Sequence, residues 1–147
     1  MTDDAFDILL VEDSEDDSAF FIQALKESNP TARLRRARDG VEALTLLFGM
    51  GNPADAVPIV RPKLIILDLK LPKVSGLEVL RRLKANLYSR SIPVVTLSSS
   101  REKRDLAESY QLGANSYLVK PMDFDEFGKV VRMLGCYWLQ FNQPPKS

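Results

Sequence analysis

This chain contains no histidine and only one cysteine, Cys136, among its 147 residues. The absence of histidine excludes metal sites and acid–base mechanisms that depend on an imidazole of this chain. A single cysteine cannot form an internal disulfide, which is typical of a reducing compartment. Acidic and basic residues balance at 20 each, so no general attraction to nucleic acid or to an anionic membrane is indicated.

Long apolar segments are also missing from the sequence. No run approaches the roughly 20 apolar residues that a membrane-spanning helix requires, and the acidic residues 1–7 contain no apolar signal core. We therefore expect a cytoplasmic protein with neither a membrane partner nor a nucleic-acid partner. The length predicts one domain over residues 1–147, with its core at about residues 6–135.

The apolar residues that are present fall into short continuous runs. Residues 64–67 read Leu-Ile-Ile-Leu and are followed at once by Asp68. A run of this kind fits a strand buried on both faces or a piece of buried helix, and the turn residues Pro72 and Gly76 favour the strand. Four further strands are predicted at residues 8–11, 32–37, 92–98 and 116–119, of which 32–37 is the weakest and is expected near an edge.

Each predicted strand is followed by a segment with helical spacing of apolar residues. The predicted helices begin after the capping residues Ser14, Asp39 and Ser75 and, later, cover residues 102–112 and 124–141. Strands and helices that alternate five times predict a parallel sheet with right-handed crossovers. The fold class is therefore α/β, a flavodoxin-like (βα)5 unit with strand order 2-1-3-4-5 and helices on both faces.

In such a sheet the strands share one carboxyl edge, and polar residues follow them there. These residues are Glu12 and Asp13, Asp68, Ser98 with Ser99, and Lys120. Clustered carboxylates repel one another unless a cation lies among them, and the hard cation Mg²⁺ suits this set. A carboxylate nucleophile beside Mg²⁺, a lysine and a hydroxyl has the groups required to accept a phosphoryl group.

These residues resemble, in order, the receiver domains of two-component response regulators. The matching features are the pair Glu12-Asp13, the acceptor-like Asp68, the turn Leu71-Pro72 with Gly76, the stretch from Pro93 to Ser99, and Tyr117-Leu118-Val119-Lys120-Pro121. The resemblance implies that a partner sensor histidine kinase, or a small phosphodonor, phosphorylates Asp68. The protein would then be a phosphoacceptor that catalyses its own phosphorylation and dephosphorylation, and no classical enzyme.

The same resemblance assigns the remaining roles. Mg²⁺ would be held by Glu12, Asp13, Asp68 and the backbone carbonyl of Lys70. Ser98 and Lys120 would assist the reaction, and Ser98 and Tyr117 would form the conformational switch. The Lys120-Pro121 bond would be cis, an isomer that is accessible mainly before proline.

Three features depart from the commonest receiver pattern. Residues 49–62 are rich in Gly, Asn and Pro and predict a long loop, Lys70 lies two positions after the acceptor, and the sequence ends after the fifth helix. We therefore expect a stand-alone regulator. With the Leu-Val-Glu-Asp-Ser segment and the aromatic ending, the chain resembles the single-domain regulators associated with bacterial and cyanobacterial phytochromes, which implies a phytochrome as the kinase.

Two alternatives use the same residues differently. An unphosphorylated pseudo-receiver would act only as an adaptor, but the acidic, hydroxyl and lysine set is complete. A phosphatase or phosphotransferase of the haloacid-dehalogenase type also uses an aspartate at a strand end, but its usual second aspartate is replaced by Lys70.

The last helix predicts an interface. Its apolar stripe comprises Phe124, Phe127, Val131, Leu134, Trp138 and Phe141, widened by Val130, Met133 and Tyr137. We expect its aromatic end, within the extended helix and tail of residues 123–147, to form an exposed patch that pairs two copies into a homodimer. The alternative is that the loop of residues 49–62 covers this end within one chain.

Overall fold

One sheet of five parallel strands organises the molecule, in the order β2-β1-β3-β4-β5. The strands are β1 (Ile8–Val11), β2 (Leu34–Ala37), β3 (Leu64–Leu67), β4 (Val94–Ser98) and β5 (Ser116–Val119). This computed structural model describes residues 5–51 and 55–145. Parts of the acidic start, the predicted loop and the tail, at residues 1–4, 52–54 and 146–147, lie outside the described residues. The predicted strand order is confirmed, with β2 at one edge.

Five α-helices alternate with the strands, as predicted. They are α1 (Glu15–Ser28), α2 (Gly40–Phe48), α3 (Gly76–Ala85), α4 (Lys103–Gln111) and α5 (Phe124–Gly135), and the π-helical segment Cys136–Phe141 continues α5. The predicted caps of the first three helices are present, because the side chains of Ser14, Asp39 and Ser75 accept the backbone N–H of Asp17, Glu42 and Glu78. No helix in the described part of the chain is long and apolar enough to cross a membrane.

The sheet is buried on both faces, which explains why its central strands are continuously apolar. One core cluster packs α2 and α3 against residues such as Leu9, Ile65 and Leu67. The second packs α1 and α5 against the alternate residues, including Leu10 and Ile66. Successive side chains of a strand point to opposite faces, so four-residue strands supply both cores.

The described part of the loop of residues 49–62 lies on the α2 and α3 side. The N–H of Ile59 donates to the carbonyl of Leu47 at 2.7 Å, and Val60 packs against the first core cluster. The aromatic end of the last helix lies on the other side, where Trp138 and Leu139 pack against the second cluster. The described loop residues therefore do not cover that end.

The predicted apolar stripe of the last helix is buried in its middle and wrong at Phe124, while Phe141 is exposed, as expected for the aromatic end. Phe127, Val131 and Leu134 are buried, but Phe124 and Phe141 are 61% and 67% exposed. Phe124 is the first residue of α5 and extends past the core. Residues 136–141 form a π-helix, whose wider turn shifts the side chains out of the 3.6-residue phase on which the prediction depended.

Candidate functional site

The sheet register brings the predicted site residues to one edge. Val11 of β1 pairs with Leu67 of β3, so Glu12 and Asp68 emerge side by side. The N–H of Asp68 donates to the carbonyl of Val11 at 3.0 Å, and the N–H of Lys120 donates to the carbonyl of Ser98 at 2.7 Å. These backbone hydrogen bonds therefore hold Asp68 and Lys120 at the carboxyl edge of the sheet.

Three carboxylates form a compact cluster at this edge. Glu12, Asp13 and Asp68 each offer one carboxylate oxygen, and these oxygens all lie within 4.8 Å of one another. Glu12 and Asp68 are buried, whereas Asp13 is exposed. The exposure of Asp13 leaves the cluster open to solvent on one side. Mg²⁺ and Mn²⁺ prefer hard oxygen ligands such as these carboxylates. The donor set therefore fits a divalent cation.

Lys120 reaches into the cluster from the end of β5. Its Nζ lies 2.6 Å from Oε1 of Glu12, 2.9 Å from Oδ2 of Asp17 and 3.7 Å from Oδ2 of Asp68, and its side chain is 9% exposed. Burial opposes the charged ammonium, but the carboxylates outweigh burial and raise the pKa of Lys120. Lys120 therefore stays protonated and places a positive charge beside Asp68.

The buried position of Glu12 among other charged groups changes its pKa. The pKa of Glu12 is raised from 4.5 to about 7, mainly by burial and to a smaller extent by the charge of Asp68, against the opposing effect of Lys120 and of the hydrogen bond from Ser14. A cation placed among the carboxylates would favour the ionised form of Glu12.

Asp17 is a site residue that sequence reasoning missed. It does not lie at a strand end and so received no role from the sequence pattern, yet its carboxylate binds Lys120. A signal was available, because the first turn of α1 follows the acidic pair directly and so begins at the same sheet edge.

Arg36 of the edge strand β2 was also missed. Its Nε donates to the backbone carbonyl of Glu12 at 3.0 Å, and its Nη1 pairs with Glu15 at 3.0 Å. The guanidinium thus ties the acidic turn after β1 to β2.

The two predicted switch residues meet at the turn after β4. Ser98 is fully buried, and its Oγ accepts the N–H of Ser100 at 3.2 Å. The Tyr117 ring is turned inward, and its hydroxyl donates to the carbonyl of Ser100 at 3.0 Å. Both side chains therefore hydrogen-bond to the backbone of the same residue, Ser100.

Two expectations about the loops have different outcomes. The Lys120-Pro121 bond is trans, since the described residues contain no cis peptide bond, and the expectation of a cis bond is wrong. The two X-Pro isomers differ by only about 0.5–1 kcal/mol, so local sequence does not decide between them. At Lys70 the N–H donates to Oδ1 of Asp68 over a long 3.4 Å and the residue is exposed; its carbonyl stays a predicted ligand.

The parallel sheet, the acidic cluster and the buried lysine define a class of signalling protein. The chain belongs to the response regulator receiver domain family, whose model matches residues 8–132. Receiver domains of this family act in two-component signalling and are in general not classical enzymes.

Particular relatives narrow this class. The chain is 40% identical to the response regulator Rcp1 of Synechocystis sp. over 133 residues, which are 90% of this chain and 88% of Rcp1. It is 37% identical to the probable methanogenesis regulatory protein FilR2 of Methanothrix harundinacea, covering 97% of this chain and 90% of FilR2.

Solved structures agree with these sequence relatives. The Mn²⁺-bound form of Rcp1 superimposes with a TM-score of 0.84 at 38% identity, covering 96% of this chain and 99% of Rcp1. The phosphorylated cyanobacterial phytochrome response regulator RcpA gives a TM-score of 0.85 at 35% identity, covering 97% and 99% of the two chains. The chain is thus a receiver-domain response regulator homologous to phytochrome response regulators.

Proposed function

We propose that this protein accepts a phosphoryl group on Asp68 from a partner sensor histidine kinase. The observation that carries the proposal is the position of Asp68, buried at the end of β3, between the acidic pair after β1 and the ammonium of Lys120. The kinase is proposed to be a phytochrome, because the similar protein RcpA is named as a phytochrome response regulator. We place the reaction in the cytoplasm, where such kinases meet ATP.

In the proposed reaction a carboxylate oxygen of Asp68 attacks the phosphorus in line with the leaving group. The phosphorus–nitrogen bond of the donor phosphohistidine breaks, and its electron pair returns to the imidazole nitrogen. With acetyl phosphate, the phosphorus–oxygen bond breaks and acetate leaves. Dephosphorylation is attack by water on the same phosphorus, which regenerates the Asp68 carboxylate and releases inorganic phosphate.

Side chains of this chain supply the surrounding charges. Lys120 would bind a phosphoryl oxygen, and the hydroxyl of Ser98 would donate to another. Glu12, Asp13, Asp68 and the Lys70 carbonyl are the proposed ligands of Mg²⁺. When bound, the cation would neutralise negative charge where phosphoryl and carboxylate oxygens meet. Movement of Ser98 towards the phosphoryl group would pull the segment that Tyr117 holds, a local charge event that changes the adjoining surface.

Intact-mass measurement with acetyl phosphate tests the proposal. Wild type with Mg²⁺ should gain one phosphoryl group, and excess chelator should prevent it. Asp68→Asn should gain none, because it lacks the nucleophile. The matched control Asp16→Asn removes an exposed acid of α1 and should be labelled like wild type. A stable adduct on Asp68→Asn, or an unlabelled wild type, would refute the proposal.

We also propose a symmetric homodimer built on α5 and the segment after it. Met133, Tyr137 and Phe141 follow one another at spacings of four residues and are 51%, 51% and 67% exposed. An apolar strip of this kind usually marks an interface, and twofold pairing is the commonest way to bury one. Trp138, in contrast, packs inward and is not a suitable site for the test.

Sedimentation of wild type and of the double variant Tyr137→Ser, Phe141→Ser tests the dimer. Wild type should be dimeric at about tens of micromolar, where interfaces of ordinary affinity are populated, and the variant should be monomeric. The double variant Leu87→Ser, Tyr88→Ser, which changes exposed apolar residues elsewhere, should behave like wild type. A monomeric wild type would contradict this proposal.

A further inference from the structure

Asp17 shares the ammonium of Lys120 with the two buried carboxylates. Its Oδ2 lies 2.9 Å from Nζ of Lys120, closer than Oδ2 of Asp68 at 3.7 Å. Hydrogen bonds of Lys120 go to Glu12 and Asp17, whereas the distance to Asp68 is too long for one. Lys120 is therefore held just short of the proposed acceptor.

The turn before α1 positions both partners of Lys120. The N–H of Ser14 donates to Oε2 of Glu12 at 3.1 Å, and the N–H of Asp17 donates to Oγ of Ser14 at 3.2 Å. One side chain, Ser14, thus connects the backbone of Asp17 to the carboxylate of Glu12. The segment of residues 12–17 therefore places the carboxylates of both Glu12 and Asp17 against the ammonium of Lys120.

A phosphoryl group on Asp68 would compete for Lys120 with the two carboxylates that now hold it. Glu12, whose side chain is 6% exposed, is a proposed ligand of Mg²⁺, so the bound cation would compensate its charge if Lys120 moved away. Asp17 is not among the proposed ligands, and its side chain is 31% exposed. Asp17 is therefore the carboxylate that would still compete with the phosphoryl oxygens for Lys120.

We propose that Asp17 is a positioning residue that holds Lys120 away from Asp68 and so favours the unphosphorylated protein. This inference rests on the proposed function, since it concerns the phosphoryl group on Asp68. Removing the charge of Asp17 frees Lys120 for the phosphoryl oxygens. The phosphorylated form should then live longer, and phosphoryl mimics should bind more tightly.

The test compares wild type with Asp17→Asn, in which the backbone N–H of residue 17 can still donate to the capping residue Ser14. The variant should bind beryllium fluoride with Mg²⁺ about three- to tenfold more tightly in calorimetry, and should lose its phosphoryl group more slowly by a similar factor, as expected for one partly exposed ion pair. Asp16→Asn is the matched control. It removes the same charge from the same helical turn, but Asp16 is exposed and its side chain has no hydrogen bond or ion pair within the described residues.

A double variant separates positioning of Lys120 from a general effect of charge. In a Lys120→Gln background, Asp17→Asn should change neither the affinity for beryllium fluoride nor the lifetime, because Asp17 acts through Lys120. An equal effect in that background, or an Asp17→Asn variant indistinguishable from wild type or from Asp16→Asn, would overturn the inference alone. A wild type that is never labelled on Asp68 would overturn both this inference and the proposed function.

Discussion

Two lysines lie at opposite ends of the same sheet in contrasting surroundings. Lys120, at the carboxyl edge, is surrounded by the carboxylates of Glu12, Asp17 and Asp68. Lys84, from the last turn of α3, lies at the amino ends of β4 and β5. Its Nζ donates to the carbonyls of Arg90 and Ile92 at 3.0 and 2.8 Å and to Oδ1 of Asn115 at 3.1 Å.

The two pKa values move in opposite directions for one physical reason. Both side chains are substantially buried, which disfavours the ammonium. Lys84 has neutral oxygen partners, and burial lowers its pKa to about 8. Lys120 has ionised partners, which reverse the effect of burial. Two backbone carbonyls and the amide oxygen of Asn115 hold Lys84, whereas the hydrogen bonds of Lys120 go to carboxylate side chains.

The largest expected difference between the two lysines concerns the phosphoryl mimic. Lys120→Met should weaken the binding of beryllium fluoride with Mg²⁺ about tenfold or more, since a charge-assisted hydrogen bond is lost. Lys84→Met should bind it like wild type in the same calorimetric titration. Equal weakening in both variants would mean that the effect arises from the fold as a whole.

The stability of the Lys120→Met variant should depend on Mg²⁺, whereas that of the Lys84→Met variant should not. Lys84→Met should lower the free energy of unfolding by about 1–3 kcal/mol, because the partly buried carbonyl of Ile92 loses its donor, and Mg²⁺ should not restore it. Lys120→Met should also be destabilised at neutral pH, since the clustered carboxylates lose their counter-ion, but Mg²⁺ should restore its stability. Urea unfolding with Mg²⁺ and with chelator measures both, and a Lys84→Met variant restored by Mg²⁺ would contradict the comparison.

A third lysine, Lys70, should have a smaller effect, on the lifetime of the phosphorylated form. Lys70 is exposed and lies two positions after the proposed acceptor, where its ammonium can pair with the phosphate and obstruct the in-line approach of water. Lys70→Asn should shorten the lifetime several-fold in a chase followed by intact mass. Lys63→Asn, at the other end of β3, is the control, and an unchanged lifetime in Lys70→Asn would refute the prediction.

The last expected difference concerns the dependence of stability on pH. The pKa of Lys84 is about 8 in the folded protein, against 10.5 for an unperturbed lysine. Between these two pH values the unfolded chain therefore binds more protons than the folded protein. The free energy of unfolding of wild type, relative to Lys84→Met, should therefore rise as pH increases through this window. Urea unfolding at both ends of the window measures it, with the exposed Lys63→Met as control. A difference that is flat or falls with pH would show that the folded pKa is not lowered.

Much of the site was predictable because strand ends in a parallel sheet share one edge. The continuous apolar runs before Glu12 and Asp68 identified β1 and β3, and the ends of β4 and β5 pointed to Ser98 and Lys120 as candidates. Asp17 and Arg36 could not be assigned in this way, since one lies in the first turn of a helix and the other within a strand. Their contacts with Lys120 and Glu12 depend on how α1 and β2 pack.

Local pattern in this chain specified the elements, their order and the residues at the carboxyl edge, because apolar periodicity and capping are properties of short segments. Packing decided the features that depend on distant residues. In the π-helical turn after Gly135, Trp138 packs against the core whereas Phe141 is exposed. The sharing of Lys120 among three carboxylates likewise required α1 and three strands to meet, since side chains more than 100 positions apart in sequence hold it.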